Sequence, residues 1–221
     1  HYLTRLGLEE ARRIAAAPLF ERSGLDVMAL ADPQARYPVE GTTRLWAEAV
    51  AVTGDPAFGL SVARYVMPTN FHALGYAAVA SRTLAEAFDR VVRYFRLVTD
   101  VAELSLKRER DVYRFCMRLR PEGPPLADAS LDASAAVFTR MARGLAGRAA
   151  NPREVHLQRP APADAEPYQR LFRCPLHFGA RHNTLVYDRA SGRPVAFNAL
   201  VIMELTLANR PVQVLHLGLV M

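Results

Sequence analysis

Apolar positions recur at helical spacing through most of the first hundred residues. The spacing predicts a helix over Leu6 to Ala17, halted near Pro18, then a short apolar run from Leu25 to Leu30 broken by Asp32-Pro33. Tyr37-Pro38 demands extended backbone. Thr42 or Thr43 then offers a cap for a helix to about Thr53, with Leu45, Trp46, Ala49 and Val50 as its apolar stripe and Gly54 as its end. Asp55-Pro56 is a restart signal for a helix carrying Phe58, Leu60, Val62 and Ala63. The small, apolar stretch from Phe71 to Ala80 predicts another buried helix. Thr83-Leu84-Ala85-Glu86 is a capping box, in which the threonine hydroxyl satisfies a free amide while the glutamate reaches back. Leu84, Ala87, Phe88, Val91, Val92 and Phe95 follow it on one face.

The period then drops to two. Leu104 and Leu106 alternate with Ser105 and Lys107; Tyr113, Phe115, Met117 and Leu119 alternate with Arg114, Cys116 and Arg118. This predicts an antiparallel hairpin with one buried face and one arginine-bearing face. A helix follows from Leu126 to Leu145, with Leu131, Ala135, Phe138, Met141 and Leu145 inward. Short strands are expected at Val155 to Leu157, Pro175 to Phe178 and Thr184 to Tyr187, a helix at Ala165 to Phe172, and a closing helix at Ala199 to Ala208. The order predicts an α+β fold: N-terminal helices packed on a small antiparallel sheet with interspersed helices.

Composition adds constraints. The chain has 221 residues, of which 51% are hydrophobic and 23% charged, an ordinary globular balance. No run reaches the roughly 18 apolar residues of a membrane span, and no secretory signal stands at the start. Two cysteines, Cys116 and Cys174, form no disulfide framework and suit a reducing cytoplasm. The net charge is +6, but Lys107 is the one lysine and the arginines are scattered among acidic neighbours such as Asp89 and Glu109. A basic total without a patch is poor support for nucleic-acid binding by these residues. There is no nucleophile elbow, zinc-protease helix, phosphate loop or dinucleotide fingerprint, so no enzyme is expected and no cofactor is implied.

Val52 to Leu60 (VTGDPAFGL), Leu74 to Ala78, Ser81 to Phe88 (SRTLAEAF) and Arg93 to Asp100 (RYFRLVTD) resemble, in order and spacing, the N-terminal, arabinose-binding-type domain of AraC/XylS-type transcription regulators. Pro167 to Arg189 (PYQRLFRCPLHFGARHNTLVYDR) resembles that domain's second hallmark. The resemblance covers roughly residues 41 to 208 and leaves 1–40 as a helical extension and 209–221 as a tail or linker start. It implies a cytoplasmic, homodimeric domain, sensing a small-molecule effector across residues 1–208. It implies DNA contact only through a C-terminal helix-turn-helix domain, which these residues lack, and no membrane contact. The start at His1 fits a piece of a longer protein. A ligand-free dimerisation module and a small metal-sensing domain are the alternatives. The closing helix and the Leu131 to Leu145 helix are the candidate dimer surfaces.

A sensor needs an apolar pocket with a few polar groups. The stripes of Phe88, Val92 and Phe95 and of Tyr113, Phe115 and Met117, with Phe71, His72 and Tyr76 nearby, are the candidate ligand-binding residues. They favour an apolar or aromatic effector over a free sugar. Cys174, His177 and His182 have loosely metal-like spacing, but with no fourth ligand they are read as structural, and no metal is expected.

Overall fold

The computed structural model describes residues 8–9, 14–32, 35–65, 68–97, 99–121, 123–146, 150–189, 202–207 and 210–215. Among these, seven strands and seven α-helices alternate with short 3-10 turns. The helices are α1 (Ala17–Arg22), α2 (Val39–Thr53), α3 (Phe58–Val62), α4 (His72–Val79), α5 (Leu84–Tyr94), α6 (Asp128–Ala146) and α7 (Glu166–Phe172). The strands are β1 (Ala102–Arg108), β2 (Val112–Leu119), β3 (Glu154–Leu157), β4 (Leu176–Phe178), β5 (Asn183–Asp188), β6 (Ile202–Leu207) and β7 (Arg210–Leu215).

Several boundaries differ from the sequence expectation for identifiable reasons. Leu8 and Glu9 are helical, and the rest of the predicted first helix up to 13 lies outside the described residues. Pro18 does not end a helix but begins α1, at a first-turn position where its missing N–H costs nothing. Helix α2 starts at Val39 rather than after Thr42 or Thr43, because Pro38 provides the extended entry. Thr42 is instead inside the first turn, its hydroxyl donating to the Val39 carbonyl at 2.8 Å. Gly54 closes α2 in the left-handed conformation at φ 62°, which glycine adopts without penalty. The capping box of α5 forms: the Glu86 amide donates to Thr83 Oγ1 at 3.1 Å. Glu86 reaches one residue further back than expected, accepting from the Arg82 amide at 2.8 Å. The predicted closing helix is a correction. Residues 202–207 form a strand, antiparallel to β7, so the expected tail is its hairpin partner over 210–215. The helical pattern misled because alternation in this run is weak and β-branched residues at Ile202, Thr206, Val212 and Val214 favour extended backbone.

The main sheet has the order β1-β2-β5-β3-β4. Every neighbour pair is antiparallel except β3 and β4, which run parallel. Strands β4 and β5, adjacent in sequence, are not paired; β3 lies between them. Helix α5 lies over β1, and α6 lies over β5. The N-terminal helices form a further layer, with α2 and α3 packed on α6 from the far side.

Two apolar clusters result. The sheet-side cluster joins α5, α6, α7 and the inner face of the sheet, including Phe88, Phe115, Phe138, Tyr168, Phe172 and Tyr187. The helical cluster joins Leu8, Leu19, Phe20, Leu45, Trp46, Phe58 and Val62 to Ala129 and Ala133 of α6. Ala16, Leu19, Phe20 and Leu25 of the N-terminal segment are thus buried in this cluster. Close approach of α3 to α6 depends on Gly59, where a Cβ would stand 2.0 Å from the Ala129 carbonyl oxygen.

Candidate functional site

A cleft of about 710 Å³ opens at the seam between the two clusters. One wall is the N-terminal segment from Ala35 into α2, contributing Tyr37, Thr42 and Trp46. A second is the face of α6 that carries Ser130, Ala133, Ser134 and Phe138. The third is the link from α5 to β1, with Phe95, Arg96, Asp100 and Ala102, and behind it Met117 of β2. The size suits a small organic molecule, and the mixture of apolar walls with a few polar groups is what such sites require. Sequence explains the space. On α6 the small residues Ser130, Ala133 and Ser134 leave the space that the larger Val137 and Phe138 border. Pro38 fixes the extended entry that carries Tyr37 across the opening; the Tyr37 hydroxyl donates to the Asp26 carbonyl at 2.6 Å. Burial, followed by the charge of Asp26, raises the pKa of that phenol.

Of the nine residues expected to meet an effector, Phe71, Phe95 and Met117 line this cleft. Phe88 and Phe115 are instead stacked on each other with ring centroids 4.4 Å apart. Phe115 also meets Phe138 edge-on at 4.8 Å, so side chains occupy the space between helix α5 and the hairpin. Val92 is half-buried at the margin of this core, Tyr113 is half-buried on β2, and Tyr76 is 39% exposed on α4. His72 opens α4, and its side chain is not among those described. Sequence reasoning missed the segment from Arg36 to Trp46 as a cleft wall. Its apolar stripe reads as ordinary core, and nothing linear brings it beside α6.

A buried polar network sits behind the cleft on the opposite side of α6. Asp132 is 1% exposed. Its Oδ2 accepts from Arg159 Nη1 at 2.6 Å and from the Tyr168 hydroxyl at 2.6 Å. Burial raises the Asp132 carboxyl above the usual range, opposed by the Tyr168 hydrogen bond and the Arg159 charge. The network ties α6 to α7 and to the residues after β3. Its members each have a structural role here.

The metal-like spacing of Cys174, His177 and His182 does not become a cluster; His177 instead joins Glu154 and His156. The parallel register places His156 directly opposite His177 on the outer face of the β3–β4 pair, and Glu154 two residues before His156 shares that face. The two imidazoles stack with centroids 4.6 Å apart. Glu154 Oε1 is 3.2 Å from His156 Nε2, and Oε2 is 3.6 Å from His177 Nε2. His156, then Arg114 and His177, hold the Glu154 carboxyl below the ordinary glutamate range. Burial pushes the Cys174 thiol up to about 11, which keeps it protonated near neutrality.

Comparison with known proteins places this architecture. Residues 14–192 match the family model described as the arabinose-binding domain of AraC transcription regulators, N-terminal. The crystal structure of the transcriptional regulator CdpR from Pseudomonas aeruginosa has a similar fold, with a TM-score of 0.55 and 19% sequence identity. The similarity covers 81% of this chain and 56% of that one, so the chain spans little more than half of that regulator's length. No curated protein matches the chain in sequence. Among the described residues, no helix is long and apolar enough to cross a membrane.

Proposed function

The chain belongs to the arabinose-binding N-terminal domains of AraC transcription regulators, and from that premise we propose that it is the effector-sensing, dimerising part of a cytoplasmic regulator. The observation that carries the sensing role is the cleft of about 710 Å³ at the seam of the two cores. Its effector is an apolar or aromatic molecule with one or two polar groups. The body would rest on Trp46, Phe71, Phe95 and Phe138, and the polar groups would meet Thr42, Ser130, Ser134 or the charges at the rim. The reading extends to residues 1–208 as one sensing unit whose output is DNA binding by a helix-turn-helix domain elsewhere in the regulator. An effector can act only through better binding to one arrangement of the protein than to another. A cleft walled by separate layers supports that, because a molecule there touches both. Its role is regulatory rather than enzymatic.

The experiment is thermal unfolding of the chain with a panel of aromatic acids, medium-chain fatty acids and free sugars, arabinose included. A bound effector at about 100 times its Kd adds about 2.7 kcal/mol of stability. We expect stabilisation by members of the first two classes, lost in Ser134→Trp, which fills the cleft. Stabilisation that survives Ser134→Trp, or that comes from sugars alone, overturns this placement. Sedimentation of the same samples tests the homodimer, with a monomer at all concentrations as the opposing result.

A further inference from the structure

We propose that Glu154, His156 and His177 form a binding site for one divalent transition ion of the zinc class, on the outer face of the sheet. This site is separate from the cleft and does not rest on the effector reading. The ligating atoms of the three residues all lie within 4.8 Å of one another. Two imidazole nitrogens and one carboxylate are the donor set of open, three-ligand zinc sites, with water completing the shell. The spacing fits as well. Bonds of about 2.0–2.1 Å in a tetrahedral shell put neighbouring ligand atoms about 3.3–3.4 Å apart. Glu154 approaches His156 Nε2 at 3.2 Å through Oε1 and His177 Nε2 at 3.6 Å through Oε2, so a carboxylate oxygen stands near that separation from each nitrogen.

Three further features support the assignment. His156 Nε2 is shielded from solvent, and its contact with Glu154 Oε1 at 3.2 Å falls short of a well-aligned hydrogen bond. A buried polar atom left so is costly, and a cation at the shared point would satisfy it. The backbone also fixes the geometry. His156 and His177 are register partners across β3 and β4, and Glu154 is on the same face one pleat away, so short rigid strands hold all three. Strand β4 is an edge of the sheet and His177 is 50% exposed, which leaves an approach from solvent. The competing partner is Arg114, whose Nη1 is 3.5 Å from Glu154 Oε1. Its Nε is already engaged with Glu109 at 2.9 Å. Glu154 has an oxygen beside each histidine, and either can serve as the single carboxylate ligand of the ion.

The test is equilibrium dialysis of the untagged chain against zinc or cobalt(II), with elemental analysis and the visible absorption of bound cobalt. We expect one ion per chain and a tetrahedral cobalt spectrum. Loss of an outer-shell partner alone costs about 10–100-fold in affinity, so Glu154→Gln and His177→Gln should each weaken binding by at least about tenfold. His182→Gln and Cys174→Ser should leave it unchanged. Melting in chelator, where all variants should match the parent, separates a lost site from a lost fold. Absence of bound metal in the parent chain overturns the proposal. So does binding indifferent to Glu154→Gln and His177→Gln, or binding that depends on His182 or Cys174 instead.

Discussion

The two cores of this domain are built on different principles. On the sheet side, large rings from four elements lock together: Phe88 meets Phe115 and Tyr187, and Phe115 meets Phe138, with centroids 4.4 to 5.4 Å apart. On the helical side the ring contacts are fewer, Trp46 with Phe58 at 6.1 Å and Phe20 with Tyr37 at 6.3 Å, the separation that Phe95 and Phe138 show at the edge of the sheet-side core. There the decisive contact is backbone against backbone, Gly59 on Ala129. The first core is held by filled volume, the second by closeness. Helix α6 serves both, and where its residues are too small to fill the seam, at Ser130, Ala133 and Ser134, the cleft opens. Cavities in proteins follow from such local deficits of volume, since interiors are otherwise packed to crystal density.

The largest expected effect tests the filled core. Phe115→Ala removes the ring at the centre of the aromatic cluster, and chemical denaturation should show a loss of about 3–5 kcal/mol. A loss below 1 kcal/mol would mean the cluster relaxes freely and is not the rigid half. Next, Gly59→Ala should cost about 3 kcal/mol, the upper part of the overpacking range, because the new methyl meets backbone that cannot rotate away. Hydrogen exchange sharpens this contrast. Amides of α2 and α3 should lose protection in Gly59→Ala while those of β2 and β5 keep theirs. Equal loss in both would make the two cores one cooperative unit.

Smaller effects sit at the start of α5, which supplies the sheet-side core. Thr83→Ala should lower stability by about 1 kcal/mol, read as a shift in thermal midpoint. Glu86, held low chiefly by the Arg82 amide and then by Arg90 and Arg82 charges, gives the weakest signal. Its folded pKa is depressed, so the stability it contributes is present above the ordinary glutamate range. It is lost as pH falls through the depressed value. Stability measured from neutral pH into that acid range should fall less steeply in Glu86→Gln than in the parent; identical slopes would remove the role assigned to the cap.

Much of the sheet-side core could be read from sequence, and little of the seam. The hairpin was legible because Leu104 to Lys107 and Tyr113 to Leu119 alternate on either side of a charged turn, and the register pairs Leu104 with Met117 and Leu106 with Phe115 as that alternation demands. Helix α5 was legible because its cap and stripe agree. Three of the nine candidate ligand residues reach the cleft, and these come from the ends of their stripes, where the core thins. The wall from Arg36 to Trp46 was not legible, since its placement depends on α2 docking on α6 some ninety residues later. The Glu154, His156 and His177 group was hidden for a related reason. Adjacency in sequence suggests that β4 pairs with β5. Its true partner is β3, twenty residues upstream, and that parallel register alone brings the two histidines together. Cys174 and His182 are nearer to His177 along the chain but lie off the shared face.

From Leu131 to Thr139, every position of α6 except Ser134 is buried. A rod enclosed this fully has little freedom to vary, because a change that suits one neighbour trespasses on another. The opposite holds for Arg36, Pro38, Arg96 and Asp100, which border the same cleft with their outer sides in water. On the proposed sensing role, substitutions that change the ligand should therefore be tolerated on these outer lips and not along the central rod, much as a lock is rekeyed by changing pins and not the cylinder.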